Sequence, residues 1–155
     1  TGLSKNIINL MIDTGKHIPV FWSPNMSIGA NVLKVISTQV AKKLGHDFDI
    51  DIIDLHHKYK KDTPSGTALS IKNDIEKVFS ENKSKKKAGV IAMRSGDSTG
   101  EHTVVFSGKS ERLELKHMST SREIFSDGAV KVAQWLSKKP NGFYQMHDYL
   151  NLEGK

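Results

Sequence analysis

The stretch DIDIIDLHHKYKKDTPSGTALSIKNDIEKVF, Asp49 to Phe79, sets a strand, a polar turn and a helix in succession. Asp49-Ile50-Asp51-Ile52-Ile53 alternates with period two and reads as a strand running on toward His56. After the turn-rich residues Asp62 to Gly66, the residues Ala68, Ile71, Ile75, Val78 and Phe79 recur on one helical face. The densest polar residues of the chain, Asp54 through Thr67, therefore fall between a strand end and a helix start, where α/β folds usually keep their sites.

Outward from this block the same periodicities continue. Upstream, Leu3, Ile7, Leu10 and Met11 are spaced for a helix that Gly15 ends, and Ile18 to Trp22 form a short apolar strand bounded by Pro24. Ser27 can cap a second helix with the stripe Val32, Leu33, Ile36, Val40 and Leu44, stopped by Gly45. Downstream lie three strand candidates, Val90 to Arg94, His102 to Phe106 and Arg112 to Met118, whose glycine-containing connections suggest antiparallel neighbours. A last helix carries Ala129, Val132, Ala133 and Leu136, and an apolar tail runs from Phe143 to Leu152. The order predicts an α/β chain: an α+β substrate domain with a mixed, largely antiparallel sheet and helices on one face, plus remnants of a doubly wound Rossmann-type domain.

Composition narrows the function. The 155 residues suit about one domain, large enough to bury a core without a disulfide or metal staple, and with no cysteine neither a disulfide nor a thiolate site is possible. No apolar run approaches the roughly 20 residues of a membrane span, so a soluble cytoplasmic protein is expected, with no membrane partner. Four of the six net positive charges sit at Lys83, Lys85, Lys86 and Lys87. With no aromatic residue interleaved for base stacking, this reads as a solvated connection, and no nucleic-acid partner is expected. No G-x-G-x-x-G turn joins a strand to a helix, so the usual dinucleotide cradle is missing from the chain.

Ser65-Gly66-Thr67 at a helix N-terminus offers backbone N–H groups, two hydroxyls and a glycine that lets an anion approach. It is equally a plain N-cap after a proline turn. His56, His57, Lys58 and Lys60 precede it closely, so a ligand held there would meet imidazole and ammonium groups: an anion, plausibly a carboxylate, beside a proton donor. No metal is expected, because His56 and His57 are adjacent on a strand and point to opposite faces. Ser23 to Ser27 and Arg94 to His102 are either loop structure or further ligand contacts.

The central block resembles the signature E-x-H-H-x-x-K-x-D-x-P-S-G-T-A of the dihydrodipicolinate reductases, also called 4-hydroxy-tetrahydrodipicolinate reductases, with Asp54 in place of the Glu. Ser23-Pro24-Asn25-Met26-Ser27-Ile28-Gly29-Ala30-Asn31 is similar to the family's A-P-N-F-S-x-G-x-N. The resemblance extends to Arg94-Ser95-Gly96, Gly100-Glu101-His102 and Phe125 to Val130, and so covers essentially the whole chain. It implies hydride transfer from NADH or NADPH to a cyclic dicarboxylate in diaminopimelate and lysine biosynthesis. His56 would be the general acid and Lys60 its partner, while His57, Ser65, Gly66 and Thr67 would bind substrate. Thr1, Ser23, Pro24, Asn25 and Met26 would contact the cofactor.

Residues 1–27 and 128–155 would then be parts of a dinucleotide-binding domain, and residues 28–127 the substrate-binding and tetramerisation domain of a homotetramer. Compared with the family, roughly the first hundred residues are absent, so the chain on its own is expected to be nearly inactive. The Asp at 54 is one methylene shorter than the Glu, so any hydrogen bond it makes to the loop is expected to be rearranged or lost. Competing readings are a non-catalytic oligomerisation module and an NAD(P)-dependent oxidoreductase for another carboxylate.

Overall fold

The computed structural model describes residues 2–81 and 83–151. The chain divides into two compact units, Val32–Arg122 on the one hand and Thr1–Asn31 with Glu123–Lys155 on the other. The elements follow in the order α1 (Lys5–Gly15), β1 (Pro19–Phe21), α2 (Ile28–Leu44), β2 (Asp49–His56), α3 (Gly66–Glu81), β3 (Gly89–Arg94), β4 (Glu101–Ser107), β5 (Arg112–Met118), α4 (Glu123–Leu136), β6 (Gly142–Tyr144) and α5 (Met146–Leu150).

The unit Val32–Arg122 is built on a four-stranded sheet of order β3-β2-β4-β5. Its parallel pair is β2 with β3, joined through α3 as a βαβ unit, while β2–β4 and β4–β5 are antiparallel. The expected hairpin between β3 and β4 is not formed. Because α3 returns the chain parallel to β2, the connection 95–100 must cross the end of β2 to reach its other edge. It does so in contact with that end: Ser95 N–H donates to the His56 carbonyl, and His57 and Lys58 N–H donate to the carbonyls of Ser98 and Gly96.

Strand alternation then sorts the side chains. Ile50, Ile52, Val104 and Phe106 are buried against Leu33 and Ala41 of α2 and Ala68, Ile71, Ile75 and Phe79 of α3. Every apolar position expected on α3 is buried. On α2, Leu33, Val40 and Leu44 pack on the core as expected, while Ser37 is fully buried and Ile36 faces out, because small residues (Ala30, Ser37, Ala41) let the helix lie close. The opposite sheet face carries Ile91, Met93 and Met118, each at least half exposed.

In the other unit β1 pairs in parallel with β6, so the apolar tail is a strand followed by a short helix rather than one segment; Leu152 lies outside the described residues. Trp135 of α4 meets Phe21, Tyr144 and Tyr149 edge-on, with ring centroids 5.5 to 6.4 Å apart. Helix α1 forms where its spacing predicts, but Ile7, Leu10 and Ile12 remain exposed. Two three-residue strands are too small a platform to cover them.

The lysine-rich connection is less solvated than expected. The Lys86 ammonium reaches the carbonyls of Gly45, His46 and Phe48, the turn between α2 and β2, and lies over the Phe79 ring. Lys87 pairs with Glu76 at 3.1 Å. Lys86 thus satisfies carbonyls of the turn that follows α2. Replacing Lys86 by Met should cost about 1–2 kcal/mol in urea unfolding, while Lys85→Ala, at an exposed position, should stay within about 0.5 kcal/mol.

Candidate active site

The alternation that buries Ile50 and Ile52 continues through β2 and places Asp54 and His56 on the same interior face. Asp54 is completely buried. A carboxylate there must be compensated from several sides. Its Oδ2 accepts the Ser65 N–H at 2.8 Å and pairs with the Arg94 guanidinium at 3.0 Å. Its Oδ1 lies 2.9 Å from His56 Nδ1 and 3.3 Å from His102 Nε2. These two ring contacts are close but bent, so they act as ion-pair contacts more than as linear hydrogen bonds.

Each partner arrives on a different element. Arg94 ends β3, opposite His56 in register, and also donates to the carbonyls of Asp54 and Asp62. His102 faces Asp54 across the β2–β4 ladder. Ser65 caps α3 by accepting the Ala68 N–H at 3.2 Å, and its hydroxyl lies 3.2 Å from His102 Nε2. Burial pushes the Asp54 carboxyl up, but the contacts from His102, His56 and Ser65 outweigh it and hold the group well below the usual carboxylate range. It is an anion at every physiological pH.

Asp54, His56 and His102 lie close enough together to surround a cation. The Arg94 guanidinium on the same carboxylate argues against one, since it already neutralises the only negative charge of the group.

His56 has its Nδ1 on Asp54, which leaves Nε2 as the nitrogen available to a ligand. Gly100 passes directly beside that nitrogen: a Cβ there would lie 2.9 Å from His56 Nε2, and the φ of +150° is one that side chains rarely adopt. Lys60 pairs with Asp62 at 2.7 Å, and Asp62 in turn is held below the carboxylate range chiefly by Lys60, with the Gly66 backbone N–H contributing. His57 gives its N–H to Ser98 and its ring lies against Tyr59. The structure therefore places His56 and Ser65 on the Asp54 carboxylate and Lys60 on that of Asp62, whose carbonyl accepts from Arg94, with Gly66 and Thr67 in the first turn of α3.

In the other unit, Ser23, Pro24, Asn25 and Met26 form the turn that follows β1. The Ser23 hydroxyl donates to the Asn25 carbonyl, and the Asn25 side chain accepts the Ser27 N–H. A Cβ on Gly128 would run into the Met26 carbonyl, so α4 packs closely on this turn. Thr1 lies outside the described residues.

Sequence reasoning did not assign roles to Asp54, Arg94, Gly100 or His102. The signal was present for two of them: Asp54 and His102 each occupy an interior position of an alternating strand, next to Ile52 and Val104, where a polar group needs a reason. Although one methylene shorter than the Glu, Asp54 does accept a hydrogen bond from the loop, the Ser65 N–H at 2.8 Å.

The family model for "Dihydrodipicolinate reductase, C-terminus" matches residues 29–150. Among curated relatives, the 4-hydroxy-tetrahydrodipicolinate reductase of Clostridium tetani is 42% identical across 97% of this chain and 64% of its own length. That of Aquifex aeolicus is 41% identical, with 98% and 62% covered. The fold is that of a solved structure titled dipicolinate-bound dihydrodipicolinate reductase from Paenisporosarcina sp. TG-14, at TM-score 0.79 and 20% identity over 97% of this chain and 62% of that one. The fold and the site define an α/β module with a buried network of carboxylate, imidazole and guanidinium groups. The chain belongs to the dihydrodipicolinate reductase C-terminal family, and it spans a little under two thirds of the length of these relatives.

Two outcomes test this geometry. Gly100→Ala should destabilise the chain by about 1–2 kcal/mol and displace the His56 ring, read as a changed His56 imidazole resonance. His117, opposite His102 on β5, is pushed below its ordinary range by burial and then by the charge of His102. A lowered folded-state value means the unfolded chain takes up the proton first, so stability is retained above about pH 6.5 and lost as the pH falls below it. Urea midpoints at pH 7.5 and 5.5 should differ in that direction, and His117→Gln should reduce the difference.

Proposed function

We propose that this chain is the substrate-binding and assembly part of an enzyme that reduces 4-hydroxy-tetrahydrodipicolinate (dihydrodipicolinate) to tetrahydrodipicolinate with NADH or NADPH, in diaminopimelate and lysine biosynthesis. The observation that carries this reading is that one buried carboxylate, Asp54, contacts both a proton donor, His56, and the backbone of a carboxylate cradle, Ser65. Adding a hydride to a dicarboxylate ring adds negative charge, and a proton must follow. His56 Nε2 is the group to deliver it. Lys60 assists by binding the substrate, and His57, Ser65, Gly66 and Thr67 hold its carboxylates. Asp62, gripped by Lys60 and the Gly66 N–H, supports the assignment: these two groups already hold one carboxylate of the chain itself.

The nicotinamide cofactor, when bound, supplies the hydride. The turn Ser23 to Met26 suits a cofactor contact, because it follows the end of β1 and opens α2, as ligand-binding turns of parallel sheets do; Thr1 is assigned the same role from the family resemblance. Residues 1–27 and 128–155 belong on this reading to the dinucleotide-binding domain, which fits the exposed apolar face of α1 and the two-strand parallel sheet, a pairing usually covered on both faces. Residues 28–127 form the substrate and assembly domain. Its sheet face with the exposed Ile91, Met93 and Met118 is the homotetramer contact. No helix of the described residues is long and apolar enough to cross a membrane, and the enzyme is assigned to the cytoplasm.

In the full-length enzyme, His56→Ala should slow turnover by roughly 100-fold or more; wild-type turnover by that variant would remove the assignment. The 155-residue chain should bind pyridine-2,6-dicarboxylate in a calorimeter yet turn over almost no NAD(P)H. Absence of dicarboxylate binding would favour a non-catalytic assembly module or a different carboxylate substrate.

A further inference from the structure

We infer that Asp54 is the positioning residue of this site: it fixes the tautomer of His56 and the seat of the Ser65 amide together, with Arg94 as its built-in counter-charge. The inference deepens the reading of His56 as proton donor and rests on it. Asp54 acts through its neighbours, since it has no exposed surface with which to touch a ligand.

The geometry is specific. Oδ1 is 2.9 Å from His56 Nδ1, and although the contact is bent, the carboxylate charge there favours the proton on Nδ1 in a neutral His56, which presents a bare Nε2; when protonated, the imidazolium carries the transferable proton on Nε2. Nε2 is the nitrogen beside Gly100, where a Cβ would lie 2.9 Å away and close off the approach. Oδ2 takes the Ser65 N–H at 2.8 Å, which fixes the first residue of the cradle relative to the same carboxylate. His102 closes the loop between the two halves, within 3.3 Å of Oδ1 and 3.2 Å of the Ser65 hydroxyl. The proton donor, His56, and the anion seat, at Ser65, are thereby held on one carboxylate. Arg94, at 3.0 Å, keeps the carboxylate charged without drawing the His56 proton to it.

The test is the histidine tautomer, read by long-range ¹⁵N–¹H correlation on ¹⁵N-histidine-labelled chain between pH 5 and 9, together with calorimetry using pyridine-2,6-dicarboxylate. The wild-type chain should show neutral His56 as the Nδ1–H form. Asp54→Asn should shift it toward the Nε2–H form common in water and weaken dicarboxylate binding by about tenfold or more, as loss of charge-assisted contacts does, with the circular dichroism spectrum retained. A wild-type His56 in the Nε2–H form overturns the inference, and that measurement decides even if the Asn variant does not fold. An Asn variant that keeps both tautomer and affinity overturns it as well. If the wild-type chain shows the Nδ1–H form but binds no dicarboxylate, the positioning geometry stands and the substrate reading fails.

Discussion

A fully buried carboxylate is costly unless it is compensated, and the Val32–Arg122 unit surrounds Asp54 with donor and cationic groups. Arg94 from the end of β3, His102 from β4, His56 from β2 itself and the Ser65 amide at the head of α3 converge on its two oxygens. Removing any one leaves a buried polar group exposed to the low dielectric of the interior. The network is therefore a constraint on the fold as much as a site within it.

The topology follows from the same requirement. Arg94 can reach Asp54 because β3 lies parallel beside β2, and His102 can because β4 lies antiparallel on the other edge. With β3 and β4 on opposite sides, residues 95–100 must pass over the end of β2. Their backbone bonds to His56, His57 and Lys58 fasten the segment that carries His56. A direct β3–β4 hairpin would have satisfied the local glycine signals and removed this lid-like crossing from the site.

Much of this was legible in the sequence. The period-two run from Asp49 and the helical face from Ala68 to Phe79 gave strand and helix correctly, and the block from Asp54 to Thr67 located the polar cluster. Pairing order was not legible, because loop composition reports whether a chain can turn and not which strand lies beside which. The roles of Arg94 and His102 depend on that pairing and were hidden with it. Of the stripe expected on α2, Leu33, Val40 and Leu44 pack on the core, while Ile36 does not and Ser37 is buried instead. The lysine run looked like a solvated loop, since nothing local shows that Lys86 reaches carbonyls some forty residues earlier.

The most direct measurement is a crystal structure of this chain with pyridine-2,6-dicarboxylate. The account predicts one ligand carboxylate against the backbone of Ser65, Gly66 and Thr67, the ring facing His56 Nε2, Lys60 turned from Asp62 toward the ligand, and all four partners still on Asp54. A ligand seated away from the head of α3, or an Asp54 whose contacts with His56 and Ser65 rearrange on binding, would contradict it.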